Sequence, residues 1–514
     1  MERRRAIAGV VALACLVAAT TVARGGARPA SPVATAPAQA AAVAAPPRPF
    51  ARDTGAAAGA RRISVRSERA SRRADLRILR RSRTVRGALR RAWLAGAIDA
   101  RTQRRLARVW WTTGRAHARL RGRRRAELGA VIGATARLAR ERRLTAGRLE
   151  PVFLTLRRNR DFWTTRPFPA PAQRLRFGRD PVTLQYYAGR GLQIQPLASF
   201  GRANALASAC LRRTAAARCR PQALRRLLDR MVQLGSTRSG FLAWEYLFGF
   251  GGGAPPWVSG MTQGTGAQAL ARGRRVLGER RYGAAARRAL GAFEQPPPLG
   301  VAVAVPGGRR YTMYSFDPSL RILNGELQAV IGLRDAATFL HSARARRLYA
   351  RGERVARRAV AGFDTGAWSL YSQGGRESTL GYHVLLGGFL DGLCHRTGLP
   401  TYCATGRRFA RYVREPPRVA IAKLRGVRAR RATTIRFSLS KVARVRVLVW
   451  GARGVELRRD LRLARGQHGV RWVPALRGRH RVRIVATGPA GTRAVVHRTV
   501  RAGANRPATR RRAR

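Results

Sequence analysis

The feature that most constrains this chain is a change of hydrophobic period at Pro416. Upstream, apolar residues recur at three and four, as in Leu89, Ala92, Trp93 and Ala97, or Leu106, Val109 and Trp110. That spacing lines one side of a helix. Downstream, TTIRFSLS, RVRVLVWG, VELRRDLRL, HGVRWVP, HRVRIVATG and RAVVHRTV alternate or run β-branched. That period belongs to strands. A chain of 514 residues with such a break predicts two or three domains.

The helical part is predicted to fall into pairs. One helix covers roughly 221–234. Helices at 261–277 and 282–293 form a pair, as do 323–340 with 343–361 and 382–396 with 402–413. Short links carrying Pro or Gly, such as QPPPLG and VPGG, punctuate them. Repeated helical hairpins predict a mainly α chain built on an α/α toroid, an incomplete α/α barrel over 179–415. A helical N-terminal region, 60–178, precedes it, with a Pro-rich break at TTRPFPAPAQ. Residues 416–501 read as an immunoglobulin-like β-sandwich, serving either adhesion to an anionic polymer or spacing alone.

The ends read as unstructured. Arg3, Arg4 and Arg5 followed by apolar Ala6–Ala23 predict a signal peptide over 1–27; an uncleaved anchor is the alternative. Residues 28–59 are Ala/Pro-rich and predict a disordered linker. A basic tail follows from 502. No other stretch is apolar enough to span a bilayer. Export agrees with the cysteines. Cys210/Cys219 and Cys394/Cys403 are pairs with the same nine-residue offset, and local disulfides are the simplest of three connectivities. No Cys or His cluster suggests a metal.

Lys and Arg total 104 against 24 Asp and Glu, a formal charge of +80. Only Lys423 and Lys441 are lysines. Such a surface attracts polyanions. Export argues against nucleic acid and leaves an acidic polysaccharide; the plain alternative is arginine filling solvated faces.

Chemistry-bearing residues concentrate between Tyr311 and Leu386. Tyr314, Tyr371 and Tyr382 each sit at a helix–loop boundary, and His383 follows Tyr382. No Walker loop, zinc motif or GxSxG elbow is present. Upstream, Gln185, Tyr186, Tyr187, Gln193 and Gln195 offer the aromatic faces and amides that suit sugar rings, with ordinary packing as the alternative. The fragments PPWVSGMTQG, YSFDPSLRILNG, IGLRDA, DTGAWSLY and GYH, in this order, resemble the C-terminal domain of the D-glucuronyl 5-epimerases, the heparosan and heparan sulfate glucuronate 5-epimerases. The resemblance covers roughly 180–415.

That resemblance implies a catalytic role for Tyr314, Tyr371 and Tyr382. Substrate contacts are expected from Asn324, His383, Trp257 and Gln263 in the resembling segments, and from Tyr186, Tyr187 and Glu245 by residue type. The resemblance also implies inversion of carbon 5 of D-glucuronate units to L-iduronate within a polymer, with no cofactor. Removing the carbon-5 proton builds charge on the neighbouring carboxylate, which needs a cation; Arg376 is the candidate clamp, through a bidentate guanidinium. Inversion needs one group to take the proton and another to return it from the opposite face. Tyrosine, with a reference pKa of about 10, becomes a base only where cations lower that value. Met313 stands where similar family members carry Glu, so either a tyrosine or an acid such as Glu245, Asp317 or Glu377 takes that role. The same first step starts β-elimination, which makes a polysaccharide lyase the alternative. A non-catalytic anionic-glycan-binding protein is the third reading.

Overall fold

The computed structural model describes residues 85–212 and 218–504. The expected leader and linker lie outside the described residues, as does the tail beyond 504. The chain is mainly α and divides into two compact units. One holds the residues up to Ser319 together with Gln328–Glu353. The other holds Leu320–Leu327 and everything from Arg354.

After a helical stretch over 85–94, the first unit continues with three long helices, α1 (Ala100–Arg119), α2 (Gly122–Arg140) and α3 (Ala146–Thr165). Asp99 starts α1 by accepting the Thr102 amide at 2.6 Å, which satisfies one of the free donors of a first turn. A three-stranded antiparallel sheet follows, β1 (Arg174–Phe177), β2 (Asp180–Tyr187) and β3 (Gly191–Ile194). Its anchor is polar and buried. Glu127 of α2 accepts from the Gly189 and Gly191 amides and from the Tyr186 hydroxyl. Asn159 of α3 pairs with both the N–H and the C=O of Leu192. A carboxylate and an amide thereby replace strand partners that a three-stranded sheet lacks.

Helices α4 (Pro196–Arg212), α5 (Pro221–Gln233), α6 (Gly260–Leu277) and α7 (Arg280–Ala289) complete the helical layer of this unit, with hairpins β4 (Ser236–Arg238)–β5 (Phe241–Ala243) and β6 (Ala302–Val305)–β7 (Gly308–Tyr311). In α5, Leu224, Leu227, Leu228 and Met231 are buried, the three-and-four spacing of an amphipathic helix. The β6–β7 hairpin turns on Pro306 and Gly307. Gly307 has φ +80°, the left-handed value required at the third position of a type II turn. Helix α6 meets α8 (Leu323–Phe339) through glycine: a Cβ on Gly332 would overlap the Gly264 carbonyl. Only glycine allows the two backbones that close.

The second unit contains the start of α8, the end of α9 (Ala343–Ala359), and the hairpin of α10 (Leu380–Thr397) with α11 (Pro400–Arg414). Gly398, at φ +66°, ends α10, and Pro400 opens α11, the Gly-then-Pro punctuation of a helix turn. The Cys394–Cys403 disulfide ties the two helices, and Cys210–Cys219 closes the other nine-residue offset, in the first unit.

Strands β8 (Val419–Ile421), β9 (Thr433–Leu439), β10 (Ala443–Gly451), β11 (Gly454–Leu463), β12 (Gly466–Trp472), β13 (Gly478–Thr487) and β14 (Arg493–Ala502) follow. They form two antiparallel sheets, β11-β10-β13-β14 and β12-β9-β8. Residues of both sheets, including Ile435, Phe437, Val445, Val447, Trp472, Val482 and Ile484, share one core. The intervening residues are mostly arginine and exposed, as in Arg444, Arg446, Arg479 and Arg481. This is the two-residue period of a sheet with one wet face.

Candidate active site

The site is clearest in the second unit, in the loop joining a 3-10 turn at Val360–Phe363 to α10. Asp364 fixes the loop's start. Its Oδ1 accepts from the Gly366 amide and the Tyr412 hydroxyl, and its Oδ2 from Arg408 Nε at 3.0 Å. Gly366, at φ +78°, makes the turn that follows. The chain then doubles back. Leu370 bridges Glu377, the Tyr371 amide donates to the Arg376 carbonyl at 2.9 Å, and the Ser378 amide to the Ser369 carbonyl at 2.8 Å. Thr379 caps α10 by accepting the Tyr382 amide. The result brings Tyr371 and Tyr382, eleven residues apart in sequence, to a ring separation of 4.9 Å at 67°, the edge-to-face arrangement aromatic pairs favour.

His383, the next residue after Tyr382, packs against the same loop. It is 1% exposed and lies flat on Trp368, ring centroids 3.7 Å apart. Its Nε2 is 2.9 Å from the Phe409 carbonyl, which only accepts, so Nε2 carries the proton. Nδ1 is then the acceptor for the Ser369 hydroxyl at 2.8 Å. Burial is the main cause that pushes the imidazole down to a pKa of about 4, so the ring is neutral at pH 7. Both nitrogens are occupied by protein. In place of the substrate contact expected of His383, the ring bonds to Ser369 of the loop and to the Phe409 carbonyl of α11.

The β-sheet region reaches the same loop. Lys441, between β9 and β10, is 1% exposed. Its Nζ donates to the Tyr412 and Glu415 carbonyls at 2.7 and 2.8 Å and lies 5.2 Å from the centre of the Trp368 ring. The Arg465 amide, between β11 and β12, donates to Glu377 Oε2 at 2.9 Å. Burial raises the Glu377 carboxyl above its ordinary value; its Oε2 is tied to this backbone amide, and its Oε1 is buried without a hydrogen-bond partner among the described residues. Trp368 and Lys441 were missed in the sequence. One signal was available: Lys441 is one of two lysines among 104 cations. A compact ammonium seats between two carbonyls where a planar guanidinium does not.

The other expected site residues fall in the first unit, apart from Asn324 and Arg376. Tyr314 is 4% exposed, stacked on Phe316 at 5.2 Å and edge-on to Trp257 at 5.7 Å. Trp257 itself stacks on Tyr246 at 4.1 Å, packs near-parallel to Phe250 at 5.9 Å, and donates Nε1 to the Phe248 carbonyl. Its ring is committed to an aromatic wall rather than to a sugar. Gln263 is fully buried, accepting from the Trp244 amide and donating to the Leu242 carbonyl. Tyr186 is a core residue whose hydroxyl donates to Glu127; burial first, then that carboxylate, pushes it up to about 12. Glu245 receives both Arg148 and Arg238. Burial alone would raise its pKa, but these guanidiniums and the Ser236 hydroxyl hold it below the ordinary carboxylate range. A cavity of about 20 Å³ beside Glu245 has room for one water. Tyr186, Trp257, Gln263 and Glu245 thus bond and pack within the protein rather than presenting exposed faces. Tyr187 is half-buried, its hydroxyl accepting from Gln195. Met313 is buried beside Ser259. Among the described residues no group of His, Cys, Asp and Glu is arranged to hold a metal ion.

Residues 239–410 match the family described as D-glucuronyl C5-epimerase C-terminus. This stretch belongs to that family. All three tyrosines, with Asp364, Trp368 and His383, lie inside the match, whereas the N-terminal helices and β8–β14 lie outside it. The function it carries is of the epimerase type. Among solved structures, cellobiose 2-epimerase from Bacillus thermoamylovorans B4167 is similar over 57% of this chain and 75% of that one, at 12% identity and a TM-score of 0.33. No curated protein matches the chain.

Proposed function

We propose that the chain inverts carbon 5 of D-glucuronate units to L-iduronate within an acidic polysaccharide. The observation that carries this reading is the Tyr371–Tyr382 pair, held edge to face on a braced loop inside the epimerase-family stretch. In the reaction, the C5–H bond breaks and its electrons spread into the adjacent carboxylate. One deprotonated phenol accepts the proton. A second phenol on the opposite face then returns one, and the C5–H bond re-forms inverted. Tyr371 and Tyr382 are the proposed acid and base, and Tyr314 enters through the family match. With Met313 at the family's acid position, Glu245 held by two arginines, Asp317 accepting from the Ser319 hydroxyl and one oxygen of Glu377 held by a backbone amide, a tyrosine is the proposed base.

The proposal extends to the setting. The helical hairpins are read as an incomplete α/α toroid. The strand order β11-β10-β13-β14 over β12-β9-β8 suits an immunoglobulin-like sandwich of the fibronectin type III kind. Two disulfides suit an oxidising compartment and so agree with a secreted enzyme; no described helix is long and apolar enough to cross a membrane.

The test is proton NMR of heparosan incubated with the protein in D2O. Deuterium at carbon 5 with iduronate signals is the expected result. Unsaturated-uronate signals would make the protein a lyase. Absence of exchange across a panel of glucuronate polymers would leave a glycan-binding protein and end the epimerase reading.

A further inference from the structure

The charge that develops on the substrate carboxylate needs a cation, and Arg376 is poorly placed to supply it. Its side chain is exposed at the closing end of the Tyr371–Arg376 turn, where its carbonyl accepts the Tyr371 amide, and solvent weakens any ion pair it makes there. Arg321 is placed differently. Its carbonyl accepts the Gln373 amide at 3.1 Å, two residues beyond Tyr371, so its backbone is stitched to the tyrosine loop. Its side chain is half-buried, its Nε is shielded from solvent, and that nitrogen has no hydrogen-bond partner among the described residues. Three residues on, in the first turn of α8, Asn324 is 4% exposed, and its Oδ1 is likewise buried without a partner. A buried donor and a buried acceptor left open are costly to a fold and mark a place where a ligand completes the hydrogen bonding.

We propose that Arg321 completes the uronate subsite beside Tyr371, next to Asn324, whose substrate contact the family resemblance already implies. Arg321 takes the sugar's carboxylate through its guanidinium, and the Asn324 Oδ1 accepts from a hydroxyl of the same sugar. The pairing selects a ligand carrying both a carboxylate and hydroxyl groups, which a neutral hexose satisfies only in part. This inference rests on the epimerase reading of the same site, but its test is a binding test and does not need turnover.

The experiment compares two tetrasaccharides by calorimetric titration at 0.3 M NaCl, where nonspecific attraction is screened. One is a glucuronate oligosaccharide; the other is the same compound with its carboxylates reduced to alcohols. The parent protein is expected to prefer the carboxylated form. Arg321→Gln should weaken that form about 10- to 100-fold, as loss of charge-assisted hydrogen bonds does, and leave the reduced form unchanged. Arg321→Lys keeps the charge without the fork, should fall between them, and guards against a variant that does not fold. Asn324→Ala should weaken both forms alike. A parent without preference, an equal loss on both ligands from Arg321→Gln, or the selective loss appearing in Arg376→Gln instead would each overturn the assignment. Selective binding without carbon-5 exchange would keep the subsite and remove the epimerase reading alone.

Discussion

At the scale of single residues, the candidate site separates groups placed to react from groups placed to hold. Tyr371 and Tyr382 meet only because Thr379 caps α10 and the Leu370–Glu377 bridge returns the chain. Removing one phenolic oxygen leaves the ring contact intact. Tyr371→Phe and Tyr382→Phe should each lower turnover by about 10²- to 10⁴-fold, with a melting temperature within a few degrees of the parent. A large fall in melting temperature would reclassify them as packing residues. His383 belongs to the other group, and its test is pH. Its folded pKa is depressed to about 4 from the usual 6.5, so between those values the unfolded chain binds a proton that the folded chain refuses. Stability from this group is complete above about pH 6.5 and is lost as pH falls towards 4, by about 3 kcal/mol in all. Urea unfolding followed from pH 7 to 4 checks this, and His383→Gln, which titrates nowhere in the range, should flatten that part of the curve. An unchanged slope in the variant would mean other groups set the pH dependence.

At the scale of elements, the strand region makes direct contacts with the tyrosine loop and the end of α11. Lys441 donates to the last turn of α11 and lies over Trp368, which in turn stacks on His383. Lys441→Met would keep the stem and strand two buried carbonyls, costing about 2–4 kcal/mol. Turnover should fall with stability, since Trp368 loses its neighbour, whereas Arg444→Gln, on the exposed face three residues away, should change neither. Equal behaviour of the two variants would show the contact to be incidental. What the sequence disclosed follows the range of the interactions. The Leu323–Phe339 helix, the α10–α11 hairpin and both disulfides were readable because periodicity, Gly/Pro punctuation and a nine-residue Cys offset are local signals. The Lys441–Trp368 and Arg465–Glu377 contacts cross 73 and 88 residues, and no local pattern announces them. For the same reason Gln263 and Tyr186 looked available for sugars: their partners, Leu242, Trp244 and Glu127, lie 19 to 59 residues away.

At the scale of the whole molecule, the dominant property is charge. With 104 cations against 24 acids, most arginines have no acid to pair with, and the β-sheet shows the consequence. On the outer face of the four-stranded sheet Arg479 stands directly opposite Arg501, and Arg444 opposite Arg462, while only Arg446 has an acid across from it, Asp460. Like charges directly opposite each other are unfavourable in a sheet, and a polyanion lying on that face would relieve them. If such attraction delivers an acidic polymer, it acts over distance and is therefore screened, with a Debye length of about 10 Å at 0.1 M salt and about 3 Å at 1 M. The proton-transfer step, made in a shielded loop, is not. Raising NaCl from 50 to 500 mM should then raise KM for a long glucuronate polymer by at least about 10-fold while kcat moves by less than about twofold. A tetrasaccharide, which reaches few surface arginines, should show a much shallower rise in KM. If long and short substrates respond equally, the arginines serve solubility and the polymer is captured at the site alone; if kcat falls with KM, salt is acting on the site itself.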